Sequence, residues 1–175
     1  YSLLENLLQW SSAQTGRIAF HPEPITLSGL VREVVNLIKG TATQKTVSIN
    51  SHIPLDYQIV ADRNMLHTIL RNLITNATKF TSPGGKIDIY STQDQEYTQI
   101  DVKDSGVGMD KETTNSLFGL EQKNSKPGTL NEKGSGLGLI LCKEFVEKHK
   151  GSIWVESSPG KGSSFSFTIP NKQNS

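Results

Sequence analysis

The sequence predicts an α+β protein, a two-layer α/β sandwich in which a mixed sheet of about five strands is covered on one face by about three helices. Three observations lead there. Apolar residues recur at helical spacing in three separated stretches inside the domain. Short segments with alternating apolar residues stand between and after them. The two kinds of segment interleave, with turn residues at the joins. The chain has 175 residues, 34% of them hydrophobic, which can supply the core of one ordinary domain.

The elements follow in order. Leu3, Leu4, Leu7 and Leu8, with Trp10 and Ala13, form a helical stripe that stops at Gly16. The chain starts without Met and inside this stripe, as the tail of a longer helix would, so a piece of a larger protein is expected. His21, Pro22, Glu23 and Pro24 read as a connection. Leu27, Leu30, Val31, Val34, Val35 and Ile38 then define a helix from about Thr26 to Ala42, with Thr26 as the candidate N-cap. Val47 and Ile49 alternate as a strand, residues 59–61 make another short one, and Asp62 stands where it can cap the next helix.

That helix carries Met65, Leu66, Ile69, Leu70, Leu73, Ile74 and Ala77 at three- and four-residue steps, and Pro83-Gly84-Gly85 breaks the chain after it. Residues 86–92 and 98–103 read as neighbouring antiparallel strands, with Ile87, Ile89, Ile100 and Val102 alternating. From Glu112 to Lys133 the chain turns rich in Asn, Lys, Gly and Ser, with an apolar patch only at Leu117, Phe118 and Leu120. A long, weakly patterned segment of this kind is usually a lid or a binding loop. Residues 137–149 form a clear helix (Leu139, Ile140, Cys142, Phe145, Val146) closed by Gly151. Strands at 152–156 and 165–169 finish the domain around the turn at 158–162.

Bulk properties exclude several functions. Lys and Arg number 18 against 17 Asp and Glu, so there is no general basic field and nucleic acid is not an expected partner. The single cysteine, Cys142, can form no internal disulfide and reads as a core thiol. No apolar run reaches the roughly 18 residues of a membrane span and no signal peptide is present, so no direct membrane contact is expected.

Four blocks carry candidate chemistry. Asn72, Asn76 and Lys79 share the flank opposite the apolar face of their helix. Asparagine is a poor helix former, so two of them one turn apart ask for a function. Carboxamide oxygens beside a cation suit a magnesium-phosphate group. Asp104-Ser105-Gly106-Val107-Gly108-Met109 follows a strand. It reads as an ordinary turn, or as purine recognition by a carboxylate with glycines that let backbone approach a ring.

Gly134-Ser135-Gly136-Leu137-Gly138-Leu139 opens a helix and reads either as a hinge or as a phosphate cradle of exposed N–H groups. It lacks the Gly-Lys-Ser/Thr ending of a P-loop and does not follow a strand as a dinucleotide fingerprint does. Gly160-Lys161-Gly162-Ser163-Ser164-Phe165, entering the last strand, is by itself a hairpin signal.

In this order the blocks resemble the N, G1, F, G2 and G3 boxes of the catalytic ATP-binding domain of sensor histidine kinases, within the gyrase, chaperone, histidine kinase and mismatch-repair ATPase superfamily. The resemblance spans about Leu27 to Pro170. It implies that Asn76 is the magnesium ligand with Asn72 as companion, and that Lys79 contacts phosphate. It implies that Phe80 flanks the nucleotide and Asp104 reads adenine. Gly106, Gly108 and Met109 would shape the purine pocket. Gly134, Ser135, Gly136, Leu137, Gly138 and Leu139 would approach the phosphates and anchor an ATP lid at about 110–134, and Ser163 would join the nucleotide-binding set. Phe118 is the nearest match to the F-box aromatic, although the chain reads Phe118-Gly119-Leu120-Glu121 where the family has Phe-x-Pro-Phe. Lys123, Lys126 and Lys133 read as a solvated basic loop, with contact to a triphosphate from the lid as the alternative.

The same resemblance implies two parts. Residues 1–18 would be the end of the dimerisation and phosphoacceptor hairpin, and residues 19–175 the catalytic domain. His21, His52, His67 and His149 lack the acceptor's His-Glu/Asp-x-x-x-Pro context, and His149 lies at a helix C-terminus where a cation is favoured. The implied activity is transfer of the γ-phosphoryl group of Mg-ATP to a histidine on the missing domain, with ATP and Mg2+ as cofactors. The implied partners are that domain and a response-regulator receiver, and the implied location is the cytoplasmic side of a membrane-attached sensor. A superfamily ATPase and a degenerate nucleotide-sensing module are the alternatives. The hydrolase would need a carboxylate where Asn72 stands.

Overall fold

The computed structural model describes residues 19–119, 127–130, 132 and 136–172. The leucine stripe at 1–18, Gly134, Ser135, Lys123, Lys126 and Lys133 lie outside them. In chain order the elements are β1 (Pro22–Thr26), α1 (Leu27–Gln44), β2 (Ser48–Ser51), β3 (Gln58–Asp62), α2 (Arg63–Phe80), β4 (Lys86–Gln93) and β5 (Tyr97–Asp104). They continue as α3 (Lys111–Ser116), α4 (Gly138–Lys148), β6 (Ile153–Ser157) and β7 (Ser163–Pro170). A five-stranded sheet runs β2-β4-β5-β7-β6. Its β2–β4 pair is parallel and the others are antiparallel, so the sheet is mixed as expected.

The register aligns the apolar positions across the sheet. Val102 faces Ile89 on one side and Phe165 on the other, and Phe165 faces Val155. Two residues along, Ile100 pairs with Phe167, which pairs with Ile153. Helix α2 packs against both α1 and α4 and against the sheet. Its Met65, Leu66, Ile69, Leu70, Leu73 and Ile74 are all buried. Each fully buried side chain of this size contributes about 1.5–3 kcal/mol relative to exposure, so the stripe and the alternating strand faces together fix the two-layer arrangement. Cys142 is buried with its thiol pushed up to about 12 by burial, an inert core group.

Several expectations need correction. The connection containing Pro22 and Pro24 is a strand, β1, paired antiparallel with β3 in a separate two-stranded sheet. Proline lacks a donor, which a short strand with an open edge tolerates. Thr26 occupies the N-cap position of α1 without a side-chain cap bond. It is the last residue of β1, and the Leu27 N–H is taken by the Tyr57 carbonyl at 2.9 Å instead. Asp62 does cap α2, accepting from the Asn64 and Met65 amides at 3.1 Å. The weakly patterned segment contains a short helix, α3, capped by Asp110 on the Thr113 amide at 2.7 Å.

His149 is not a cation at a helix end. It is 0% exposed, its Nδ1 donates to the Phe145 carbonyl at 2.7 Å and its Nε2 accepts the Asp62 amide at 3.0 Å. Burial lowers its proton affinity against the pull of these partners, so it is a neutral imidazole that ties α4 to the start of α2. Among the described residues no helix is long and apolar enough to cross a membrane.

Candidate nucleotide site

The Asn-bearing flank of α2 is less open than a polar helix face. Asn72 and Asn76 are half-buried and Lys79 is buried. Asn72 Nδ2 donates to the Gly138 carbonyl at 3.2 Å, and a Cβ on Gly138 would stand only 3.3 Å from Asn72 Cγ. A side chain there would press on the Asn72 carboxamide, which would have to shift by a few tenths of an ångström. Lys79 Nζ lies 4.7 Å from the centroid of the Phe80 ring, within cation–π range. Burial lowers the Lys79 pKa and Lys45 pushes the same way, while the Glu132 carboxylate opposes them.

Asp104 ends β5, paired with Ile87 on one side and Ser163 on the other. It is 5% exposed. Its Oδ1 accepts two backbone amides, Gly106 at 2.8 Å and Ser163 at 3.2 Å. Burial raises its pKa and these two amides lower it, with burial dominant. Both bonds fall on one oxygen, so the carboxylate is held in a fixed orientation with Oδ2 taking no bond among the described residues.

The glycines around Asp104 are places of close backbone approach. A Cβ on Gly106 would collide with the Phe80 carbonyl oxygen, so the turn after β5 lies directly on the end of α2. Gly108 (φ +66°) and Gly162 (φ +78°) take left-handed conformations, and a Cβ on either would collide with a carbonyl oxygen, of Ser158 and Asp104 respectively. The Gly160 amide donates to the Val107 carbonyl at 2.7 Å. Ser157 Oγ accepts the Met109 amide at 2.8 Å, and lies 2.9 Å from Ser163 Oγ. The hairpin block is thus the scaffold that shapes the Asp104 turn.

At the opening of α4, Gly136 has φ +72° and Leu137 and Leu139 are half-buried, Leu139 against the core. Phe118, after α3, also packs on the core. Five contacts link members of the sequence-derived set: Asn72 to Gly138, Lys79 to Phe80, Phe80 to Gly106, Gly106 to Asp104, and Asp104 to Ser163. A cleft of about 280 Å³ lined by His21, Glu23, Arg63 and Phe145 shares none of these residues. The buried carboxylate of that cleft, Asp62, already has both oxygens engaged by backbone amides of His21, Asn64 and Met65.

The donor set fits a magnesium ion that arrives with phosphates. Among the described residues no three His, Cys, Asp or Glu side chains converge to hold a metal alone, and none of the described residues hydrogen-bonds the Asn76 carboxamide. A single neutral oxygen ligand suits an ion whose other positions are filled by water and phosphate oxygens.

Sequence reasoning missed four participants: Lys45, Gly128, Thr129 and Glu132. Lys45 Nζ donates to the Thr78 and Lys79 carbonyls at 3.0 and 2.6 Å and to Glu132 Oε1 at 2.6 Å. Thr129 N–H donates to the Lys79 carbonyl at 3.1 Å. A lysine in a polar turn and a glutamate in a polar loop carry no periodicity or motif, so no local signal marks them.

Residues 61–173 match the family model described as histidine kinase-, DNA gyrase B- and HSP90-like ATPase. The adaptive-response sensory kinase SasA of Prochlorococcus marinus is 35% identical over 172 residues, covering 97% of this chain and 44% of that protein. The catalytic domain of histidine kinase ThkA, solved free of nucleotide, superposes with a TM-score of 0.72 at 27% identity, over 86% of this chain and 96% of that one. The structure of ThkA in complex with the response regulator TrrA matches with a TM-score of 0.75 at 24% identity, over 98% of this chain and 47% of that one. The chain spans less than half the length of the SasA relative. Its fold, its glycine blocks and these matches agree: the chain belongs to the histidine kinase-, DNA gyrase B- and HSP90-like ATPases, as the ATP-binding catalytic domain of a sensor histidine kinase.

Proposed function

We propose that this domain binds Mg-ATP and presents the γ-phosphoryl group to a histidine on a dimerisation domain of the same protein, from which it passes to a response-regulator receiver. The observation that carries the reading is Asp104, a buried carboxylate pinned by two backbone amides beneath glycine turns. Such a group can accept the exocyclic amine of adenine in one orientation only. The ThkA–TrrA complex supports the receiver as partner, since it pairs a relative of this fold with a response regulator. Residues 1–18 are read as the end of the acceptor hairpin and residues 19–175 as the catalytic domain, with its ATP lid at about 110–134. The domain is read as facing the cytoplasm.

In this mechanism Asp104 and the glycines at 106 and 108 orient the base, with Met109 and Phe80 beside it. Lys79 and the opening of α4, including Gly136 and Gly138, receive the phosphates. Asn76, with Asn72 beside it, would hold the magnesium ion, which when bound supplies charge neutralisation at the phosphate oxygens. An imidazole nitrogen of the acceptor histidine forms the new N–P bond as the bond from the γ-phosphorus to the ADP oxygen breaks. Positioning dominates such a transfer, so the domain needs no base of its own. Asn72 also bears on the outcome. An amide cannot activate water near neutral pH, so the bound nucleotide is kept for transfer rather than hydrolysis.

Titration calorimetry with ATP tests the reading, in magnesium and in EDTA, on the wild type and on Asn76→Ala. Wild type should bind more tightly with magnesium, and Asn76→Ala should lose that gain while keeping the EDTA affinity. No binding by wild type, or an undiminished magnesium gain in the variant, would count against the function or the metal site respectively.

A further inference from the structure

Helix α2 ends with each of its last four carbonyls occupied, and the groups that occupy them come from separate parts of the chain. The Ala77 carbonyl takes the Thr81 amide at 3.0 Å and the Phe80 carbonyl takes the Val107 amide at 3.2 Å. The Thr78 carbonyl takes Lys45 Nζ at 3.0 Å, and the Lys79 carbonyl takes both Lys45 Nζ at 2.6 Å and the Thr129 amide at 3.1 Å. Free helix ends leave these groups to water. Here the end of the Asn-bearing helix is fastened from the turn after α1, from the Asp104 turn, and from the strap at 127–130.

Lys45 is the centre of that fastening. It is 3% exposed, a rare state for lysine. Its ammonium has three protons and three acceptors: the two carbonyls and Glu132 Oε1 at 2.6 Å. Glu132 in turn holds the strap, its carbonyl accepting the Gly128 amide at 3.0 Å and its Oε2 accepting the Leu130 amide at 2.7 Å. The strap lies directly on the lysine stem. A Cβ on Gly128 would stand 2.5 Å from Lys79 Cγ and 2.8 Å from the Lys79 carbonyl oxygen, so only glycine permits this contact.

We propose that the Lys45–Glu132 ion pair, with Gly128 and Thr129 of the strap, is a positioning device that holds Lys79 in place for the phosphates of the bound nucleotide. It rests on the phosphate-contacting role proposed for Lys79 above. The charges are consistent with it: Lys45 and Lys79 repel, and Glu132 lies close enough to influence both. Lys45 and Glu132 are positioning residues here, acting through Lys79 and not on the nucleotide.

The device should discriminate between ligands with and without phosphates. Mg-ATP and adenosine are titrated into the full 175-residue chain as wild type, Gly128→Ala and Lys45→Met, with thermal melting to follow folding. In both variants the Kd for Mg-ATP should rise about tenfold or more while that for adenosine stays within about twofold. Glu132→Gln, at a partly exposed site, serves the same comparison if Lys45→Met does not fold, with the same pattern expected. Equal losses for both ligands, or an unchanged Mg-ATP affinity, would overturn the device alone. Wild type that bound neither ligand would overturn the functional reading and the device with it.

Discussion

The side-chain amide of Asn72 donates to the carbonyl of Gly138 at 3.2 Å, which joins the middle of α2 to the first residue of α4. Substituting Asn72→Asp keeps the shape and removes the donor, setting a carboxylate oxygen against a carbonyl oxygen. The loss should be about 1–3 kcal/mol, as for an orphaned, partly buried polar group. Chemical denaturation reads the stability and calorimetry reads Mg-ATP affinity, and both should fall. An unaltered denaturation midpoint would mean that this contact contributes nothing.

Asp104 makes a pH prediction with opposite signs for folding and for binding. Burial raises its pKa, so in the free protein its contribution to stability is present below the ordinary carboxyl value and is lost as pH rises through the raised value. Accepting the adenine amine requires the ionised form, so Mg-ATP affinity should fall as pH drops through the same raised value. Asp104→Asn should bind about tenfold or more weakly, the size of a lost charge-assisted bond, and its residual affinity should not vary in that window. A wild-type affinity flat across it would remove Asp104 from the site.

Gly162 takes φ +78° and its Cβ position is filled by the Asp104 carbonyl oxygen. Gly162→Ala should lose about 1–3 kcal/mol from the left-handed backbone alone, with the clash in addition. Because the oxygen in the way belongs to Asp104, nucleotide affinity should fall together with the urea midpoint. A destabilised variant with wild-type affinity would separate the hairpin from the purine pocket.

His149 should make the fold sensitive to mild acid. Its pKa is lowered from 6.5 chiefly by burial, so its contribution to stability is present above 6.5 and is lost as pH falls through the lowered value. His149→Phe should remove that dependence while orphaning the Asp62 amide, at a cost of about 1–3 kcal/mol. Melting temperature against pH for both proteins checks the two effects at once.

Much of this domain was legible in its residues. The stripe from Met65 to Ala77 and the alternation at Ile87, Ile89, Ile100 and Val102 each report a local period, and the buried faces follow them. Asp62 as a cap was legible for the same reason, because its partners are two and three residues away. β1 was hidden behind Pro22 and Pro24, since its pairing with β3 is set by distant residues. The position of His149 at the end of α4 is visible in the sequence, while its contact with Asp62, 87 residues away, is not.

The same division holds at the site. The sequence by itself determined the chemical groups and their order: two carboxamides and a lysine on one helix flank, a carboxylate at a strand end, and glycines where backbone must come close. Only the tertiary structure decided that Gly162 shapes the turn of Asp104, that Gly138 meets Asn72, and that Lys45 and Glu132 fasten the helix end beneath Lys79. Local periods and turn chemistry act over a few residues and leave a trace in the sequence. A partly buried ion pair 87 residues apart along the chain is created by packing, and its members carry no mark of it beforehand.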